Sequence, residues 1–342
     1  MTSENLKRYQ ALIAPGTQLR DGLERIVHGR TGALIVLGNT DEVQQVTSGG
    51  FHIDVPFTPS ALRELSKLDG GIILTADLSR IVRAGVHFVP RGDLPTDETG
   101  TRHRSADRVA RQTRVPVVTV SASMSTIALF MDGQRHPVES PQLVLARTNQ
   151  ALTAMFSHRQ FIVALSRVLN VLEVQDQATV ADVVRLAQRL EFSRRLEQEV
   201  VDALVVLGVE GRLLGTQLAE VQQGRDAMAA DLRRDYLDRP SALGMQAITD
   251  ADLLDLNRAS EAFGFGSAHL DARVRARGYR QLHTIPRMTD QVAESLLDRF
   301  GTLQEVLAAT AAEIAAVDGI TQSQARVVRD GLMRLSEAAL ND

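Results

Sequence analysis

The chain has 342 residues, with 38 Lys+Arg against 42 Asp+Glu, a formal net charge of -4, and a composition that is 44% hydrophobic and 23% charged. That length suggests two or three domains with enough apolar material for a core in each, and the near-neutral balance excludes a chain that coats nucleic acid by bulk charge. The lack of cysteine excludes disulfide staples, thiolate metal sites and a cysteine nucleophile. Met1 to Gln10 is polar and charged, and no stretch reaches the roughly 18 apolar residues of a membrane span, so a cytoplasmic chain with no membrane partner is expected. Aromatics are 4% with no tryptophan, which favours helix-rich packing over the aromatic stacking platforms of many single-strand binders.

Residues 1–140 read as a mixed α/β domain, a sheet flanked by helices. Helical spacing at Leu19, Leu23, Ile26 and Val27 precedes the apolar run Ala33 to Leu37 between Gly32 and Gly38, and helical spacing over Ser60 to Leu68 precedes Gly71-Ile72-Ile73-Leu74. Val115 to Val120 and Thr126 to Met131 are two more short runs, parted by the polar stretch Ser121 to Ser125 and followed by the turn pair Asp132-Gly133. Short apolar runs bounded by glycine or polar residues fit buried strands better than helices.

Residues 141–276 read as an all-α domain, with one stripe at Phe161, Ala164, Leu165, Val168, Leu169 and Leu172 and another at Val180, Val183, Val184, Leu186 and Leu190. Residues 277–342 repeat a hairpin followed by a helix. The hairpins centre on Ile285-Pro286-Arg287-Met288 and Val317-Asp318-Gly319-Ile320, and helical segments follow over Thr289 to Phe300 and Ser323 to Leu335. A hairpin at a helix N-terminus offers backbone N–H groups to DNA phosphates without regard to sequence, with oligomer packing as the less favoured alternative. Gly319 suits the second turn, whereas the first lacks a glycine and is expected to be the weaker. Arg273, Arg275, Arg277, Arg280 and Arg287 form a local basic strip, and Arg326 and Arg329 follow the second hairpin. Such a strip beside hairpin amides favours DNA.

Two segments of the first domain carry candidate chemistry. Asp69-Gly70-Gly71 lies between a helical pattern and a strand, where an Asp-Gly pair is an ordinary turn unless it has partners. Gly100-Thr101-Arg102-His103-Arg104-Ser105-Ala106 enters a helix expected over Asp107 to Gln112. Backbone amides at a helix start, two hydroxyls, two guanidinium groups and an imidazole can converge on a polyphosphate. The same residues also allow a helix cap in Thr101 or Ser105 beside exposed arginines, and His103 could be structural.

Arg30 to Val36, Ser48-Gly49-Gly50-Phe51, Asp69-Gly70-Gly71 and Gly100 to Arg104, in this order, resemble the diadenylate cyclase domain. With the helical zone and the hairpin pair, the chain resembles the DisA family over essentially its whole length. The resemblance implies an N-terminal diadenylate cyclase domain, an all-α linker and a C-terminal helix-hairpin-helix domain. It further implies synthesis of cyclic di-AMP from two ATP molecules with release of two pyrophosphates, using Mg²⁺ or Mn²⁺, in a homo-octamer whose cyclase domains face one another. Asp69 would then bind the metal or orient the ribose 3′-hydroxyl, and Asp69, Arg102 and His103 would be the catalytic set. Gly70 and Gly71 would let the backbone approach ATP. Phe88 would stand where relatives often place a leucine against adenine. Thr101, Arg102, His103, Arg104, Ser105 and Ser121 would contact phosphates. The DNA contacts would come from Arg287, Gly319, Arg326 and Arg329, with branched or Holliday-type DNA as the partner that lowers cyclase output.

Three positions depart from the family pattern. Gly71 replaces an alanine, which should enlarge the pocket slightly, and Ala122 and Ser123 follow Ser121 where some cyclases are acidic. These departures motivate an alternative, a DNA-binding scaffold whose ATP site is weakly active or inactive. A nucleotidyltransferase that makes a linear product or modifies another substrate is a third reading.

Overall fold

A computed structural model describes residues 2–237 and 244–341. The outer bounds of the expected domains, Met1 and Asp342, and residues 238–243 of the expected helical zone lie outside the described residues. The chain forms two compact units, Met1–Asn149 with Val200–Gly215 and Gln150–Glu199 with Thr216–Asp342.

In the first unit, α1 (Thr2–Leu12) and α2 (Gln18–His28) precede β1 (Ala33–Leu37). Next come α3 (Asp41–Gln45), β2 (Thr47–Ser48), β3 (Phe51–Pro56), α4 (Pro59–Leu65), β4 (Gly71–Leu74) and β5 (Arg80–Phe88). After α5 (Thr101–Thr113) the chain returns through β6 (Val117–Ser121), β7 (Thr126–Met131) and β8 (Gln134–Val138). The strands make one mixed sheet in the order β2-β5-β4-β1-β6-β7-β8, with β3 also paired to β5. β1 and β4 run parallel, and the other pairs are antiparallel.

Burial on both faces explains why the central strands read as unbroken apolar runs. Ile35, Leu37, Ile72 and Leu74 pack with Leu19, Leu23 and Ile26 of α2 and Leu62 of α4. Leu34, Val36 and Ile73 point the other way, into Val109 and Ala110 of α5. Each fully buried aliphatic side chain contributes about 1.5–3 kcal/mol relative to exposure. β3 and β8 lie mostly exposed and carry charged or polar residues, so they have no comparable sequence signal. Arg80 and Arg83 interrupt the apolar pattern of β5.

Beyond the sheet, α6 (Pro141–Val174), α7 (Val180–Leu207), α8 (Arg212–Val221) and α9 (Arg225–Tyr236) are followed by the short α10 (Asp250–Leu254) and α11 (Leu256–Ser260). The chain ends in α12 (Tyr279–His283), α13 (Asp290–Phe300), α14 (Leu303–Ala308), α15 (Ala311–Ala315) and α16 (Gln322–Asn341). Among the described residues no helix is long and apolar enough to cross a membrane.

The last five helices contain a repeated helix–turn–helix. Ile285 and Val317 accept hydrogen bonds from the N–H groups of Met288 and Ile320, each at 3.1 Å. Thr289 and Thr321 cap the helices that follow, accepting from Val292 N–H and Gln324 N–H. Leu282 and Ile314 are the fully buried anchors of the two preceding helices. Arg287 occupies the place of Gly319 and adopts the same left-handed backbone, φ 65° against 85°. The glycine-free turn therefore has the same form, at a cost on the order of 1 kcal/mol for holding a side chain in that region.

A buried polar knot fastens the first of these hairpins within its unit. Glu173 accepts from Arg280 Nη1 at 2.6 Å, Gln281 Nε2 at 2.6 Å and the Tyr236 hydroxyl at 2.7 Å. Asp235 accepts from the N–H groups of Gly278, Tyr279 and Arg280, satisfying the start of α12. This corrects the expected basic strip. Arg280 is buried as the counter-ion of Glu173, and Arg275 pairs with Asp176 at 3.0 Å.

Candidate functional site

Helix α5 starts at Thr101, earlier than the sequence pattern suggests, so Thr101 to Ser105 form its first turns. Its N-cap is Gly100, which has no side chain to cap with, and neither Thr101 nor Ser105 takes that place. A capless N-terminus leaves N–H groups facing outward with the positive end of the helix dipole. The loop before it is pinned to α5: Arg91 N–H donates to Gln112 Oε1 at 2.8 Å, and Arg108 Nε donates to the Leu94 carbonyl at 3.0 Å.

A pocket of about 350 Å³ opens beside this helix start. Asp69, Gly70, Gly71, Phe88, Thr101, Arg102 and Ser105 line it together with Leu34, Val86 and His87. Two segments about thirty residues apart in sequence thus meet because β4 begins and β5 ends next to the start of α5. His103, Arg104 and Ser121 are not among the lining residues. The half-buried His103 ring stacks at a tilt on Phe130, with 5.9 Å between centroids. Burial first, then the charges of Arg135 and Arg102, hold its imidazole below the usual range despite Glu98, so it is neutral at neutral pH. Arg104 is exposed. Ser121 is buried at the β6–β7 turn, where its hydroxyl accepts from Met124 N–H at 3.4 Å.

The glycines serve the protein's own packing. Gly70 has φ 106°, and a Cβ there would lie 2.7 Å from the Val86 carbonyl oxygen, so strand β5 already fills the space. A Cβ on Gly71 would meet the Phe88 ring and lie 2.9 Å from the Leu34 carbonyl oxygen. The pocket enlargement expected from Gly71 is therefore absent, because the larger Phe88 takes up the room. Gly32 on the neighbouring strand edge does the same for Arg102, whose guanidinium carbon would lie 2.6 Å from a Cβ there.

Leu34, Val86 and His87 were not legible as site residues. Leu34 belongs to an apolar run that reads as core, and only the parallel register, Ile35 opposite Ile72, places it beside Gly71. His87 is exposed next to Phe88 on β5. Asp69 is the one carboxylate in the lining, and among the described residues no three His, Asp or Glu side chains gather as a metal site.

At the other end of the chain, Arg287, Gly319 and Arg326 are exposed at or just after the two turns. Arg329 is turned inward, donating to the Leu307 carbonyl at 2.8 Å.

Comparison with known proteins adds to this geometry. The family described as DisA bacterial checkpoint controller nucleotide-binding matches residues 20–135, and the one described as DisA bacterial checkpoint controller linker region matches residues 138–270. The chain belongs to the DisA family. The DNA integrity scanning protein DisA of Frankia alni is 45% identical over 340 residues, covering 96% of this chain and 95% of that protein. That of Acidothermus cellulolyticus is 45% identical over 350 residues, 98% of this chain and 95% of that protein. A double mutant of DacA from Staphylococcus aureus is a slighter likeness, 22% identical with a TM-score of 0.32 over 41% of this chain and 91% of that one. The sheet and its flanking helices are thus the nucleotide-binding domain of a DisA-family protein, followed by the family's linker region.

Proposed function

We propose that this chain is a diadenylate cyclase controlled by DNA. Each of two ATP molecules presents its ribose 3′-hydroxyl to the α-phosphate of the other. An O–P bond forms, the bond to the β-phosphate bridge breaks, pyrophosphate leaves and the hydroxyl proton is released; twice over, this gives cyclic di-AMP. The observation that carries the reading is the convergence of Asp69, Phe88, Thr101, Arg102 and Ser105 on one pocket at an uncapped helix start. Arg102 and the first N–H groups of α5 suit a polyphosphate. Phe88 offers a face for a base. Asp69 stands where it can hold a cation or accept the 3′-hydroxyl proton's hydrogen bond.

A single carboxylate is enough for Mg²⁺ or Mn²⁺, because such ions take one or two carboxylates and complete their oxygen shell with substrate phosphates and water. When bound, the cation would neutralise triphosphate charge. The protein's own residues supply positioning, which phosphoryl transfer needs most. Because one pocket holds one nucleotide, two protomers must face each other, as in the octamer expected from the family resemblance.

We assign DNA to the C-terminal helix-hairpin-helix pair, whose two turns share one backbone form and expose Arg287, Gly319 and Arg326. Branched DNA engaging them would lower cyclase output. Purified protein incubated with ATP and Mn²⁺ tests the first part. Cyclic di-AMP is expected, and Asp69→Asn should abolish it while still binding ATP. Retained product in that variant would remove Asp69 from the chemistry; ATP binding without any product in the parent would favour the scaffold reading.

A further inference from the structure

On the face of the sheet that packs against α2, away from α5, a second pocket of about 300 Å³ opens beside the edge strand β8. Its lining residues all belong to the first unit, and none of them lines the pocket at the start of α5. Strand register explains the apolar part. His136 stands opposite Leu129 and Val138 opposite Ile127, so these side chains share one face, the face on which Leu129 and Ile127 pack with α2. Ile13, just after α1, and Val206 of α7 extend that apolar wall. The volume lies at the lower end of the range for small-molecule sites.

The polar part of the lining is dominated by Arg20 of α2, whose side chain is only 8% exposed. Its Nε donates to Glu24 Oε1 at 2.6 Å, and among the described residues neither Nη group has a hydrogen-bond partner. A guanidinium held out of water with donors unmet is costly, and its planar fork matches a carboxylate or phosphate through two parallel hydrogen bonds. Arg147 also lines the pocket but is paired with Glu139 at 3.2 Å, so these two charges neutralise each other. The unmet donors of Arg20 therefore set the sign of what the pocket accepts.

We propose that this pocket binds a small organic anion, an apolar body carrying one carboxylate or phosphate group. The anionic group sits on the Arg20 Nη fork and the body lies against Ile13, Leu129, Val138 and Val206. Because the α2 and α5 sides of the sheet are separate cores, this ligand and a nucleotide at the start of α5 are bound at the same time.

The test titrates the full chain, at fixed salt and followed by ligand-observed NMR, with benzoate, phenyl phosphate, inorganic phosphate and the neutral benzyl alcohol. At least one of the two organic anions should bind, the tighter one identifying the anionic group, with benzyl alcohol weaker by about tenfold or more, the scale of a hydrogen bond to a charged group. Arg20→Met, which keeps the stem without the charge, should weaken the anion by about tenfold or more and leave benzyl alcohol unchanged. Val206→Phe fills the cavity from its partly exposed wall and should abolish binding of all the organic probes, with the melting temperature of the parent retained; this variant decides the matter if Arg20→Met unfolds. Saturating 3′-deoxyadenosine triphosphate, which cannot be cyclised, should leave the anion in place. Four results would each overturn the inference: no organic anion bound by the parent, affinities unchanged by both variants, inorganic phosphate bound as tightly as the organic anions, or displacement of the anion by the nucleotide. None of them bears on whether the chain makes cyclic di-AMP.

Discussion

Glu173 offers the sharpest test of how the C-terminal region is held. Its side chain is fully buried, and that of Arg280 is 4% exposed. In Glu173→Leu, the Arg280 guanidinium keeps hydrogen bonds only to neutral groups, among them Asn170 Oδ1 at 2.7 Å and Ser166 Oγ at 3.0 Å, while the Tyr236 hydroxyl and the Gln281 amide each lose an acceptor. Breaking a buried ion pair by deleting one partner costs about 3–5 kcal/mol, because the remaining charge stays uncompensated. At about 2–4 °C per kcal/mol for a unit of this size, the melting temperature should drop by on the order of 10 °C. The chain has no tryptophan, so calorimetry is the suitable probe. Removing both charges, Glu173→Leu with Arg280→Met, should recover much of the loss, since two apolar side chains can replace a buried pair at little cost. A single variant that melts within about 2 °C of the parent, or a double variant as unstable as the single, would refute the reasoning.

Other outcomes follow from the same structure. Burial and the neighbouring Glu173 carboxylate push Asp235 up to about 7, against the pull of the Arg280 and Gly278 N–H groups and the Arg280 charge. Its raised value means the folded state holds an extra proton between about pH 4 and 7. The stability from that proton is complete below about pH 4 and is lost as pH rises through 7. The melting-temperature advantage of the parent over Asp235→Asn should shrink across that range; a constant difference would contradict it. Gly32→Ala should displace the Arg102 guanidinium and raise the Kd for ATP by about tenfold or more, the scale of one charged hydrogen bond, with no additional loss when combined with Arg102→Ala; additive losses would show that Gly32 acts elsewhere. Arg287→Glu with Arg326→Glu should weaken DNA in a gel-shift titration at fixed salt and lower the salt dependence by about one counterion per lost phosphate contact, with ATP-only activity intact. Unchanged affinity would move the DNA surface elsewhere.

The central sheet was readable because β1, β4 and β6 are buried on both faces, so nearly every residue had to be apolar, Thr119 and Ser121 of β6 being buried exceptions. β3, β5 and β8 were not, because exposure or arginine broke the pattern. Asp69 and Arg102 were legible as a pair of motifs, but their meeting depends on strand register. Gly71 was misread as a loss of bulk, because sequence spacing cannot show that Phe88 fills the gap. Arg280 was misread as surface charge for the same kind of reason: its counter-ion, Glu173, lies 107 residues earlier.

The most direct measurement is the product balance of purified protein with ATP and Mn²⁺, following pyrophosphate and dinucleotide together. Two pyrophosphates for each cyclic di-AMP, both absent in Asp69→Asn, are the predicted result. Pyrophosphate released without the cyclic dinucleotide would contradict the account and point instead to a linear product.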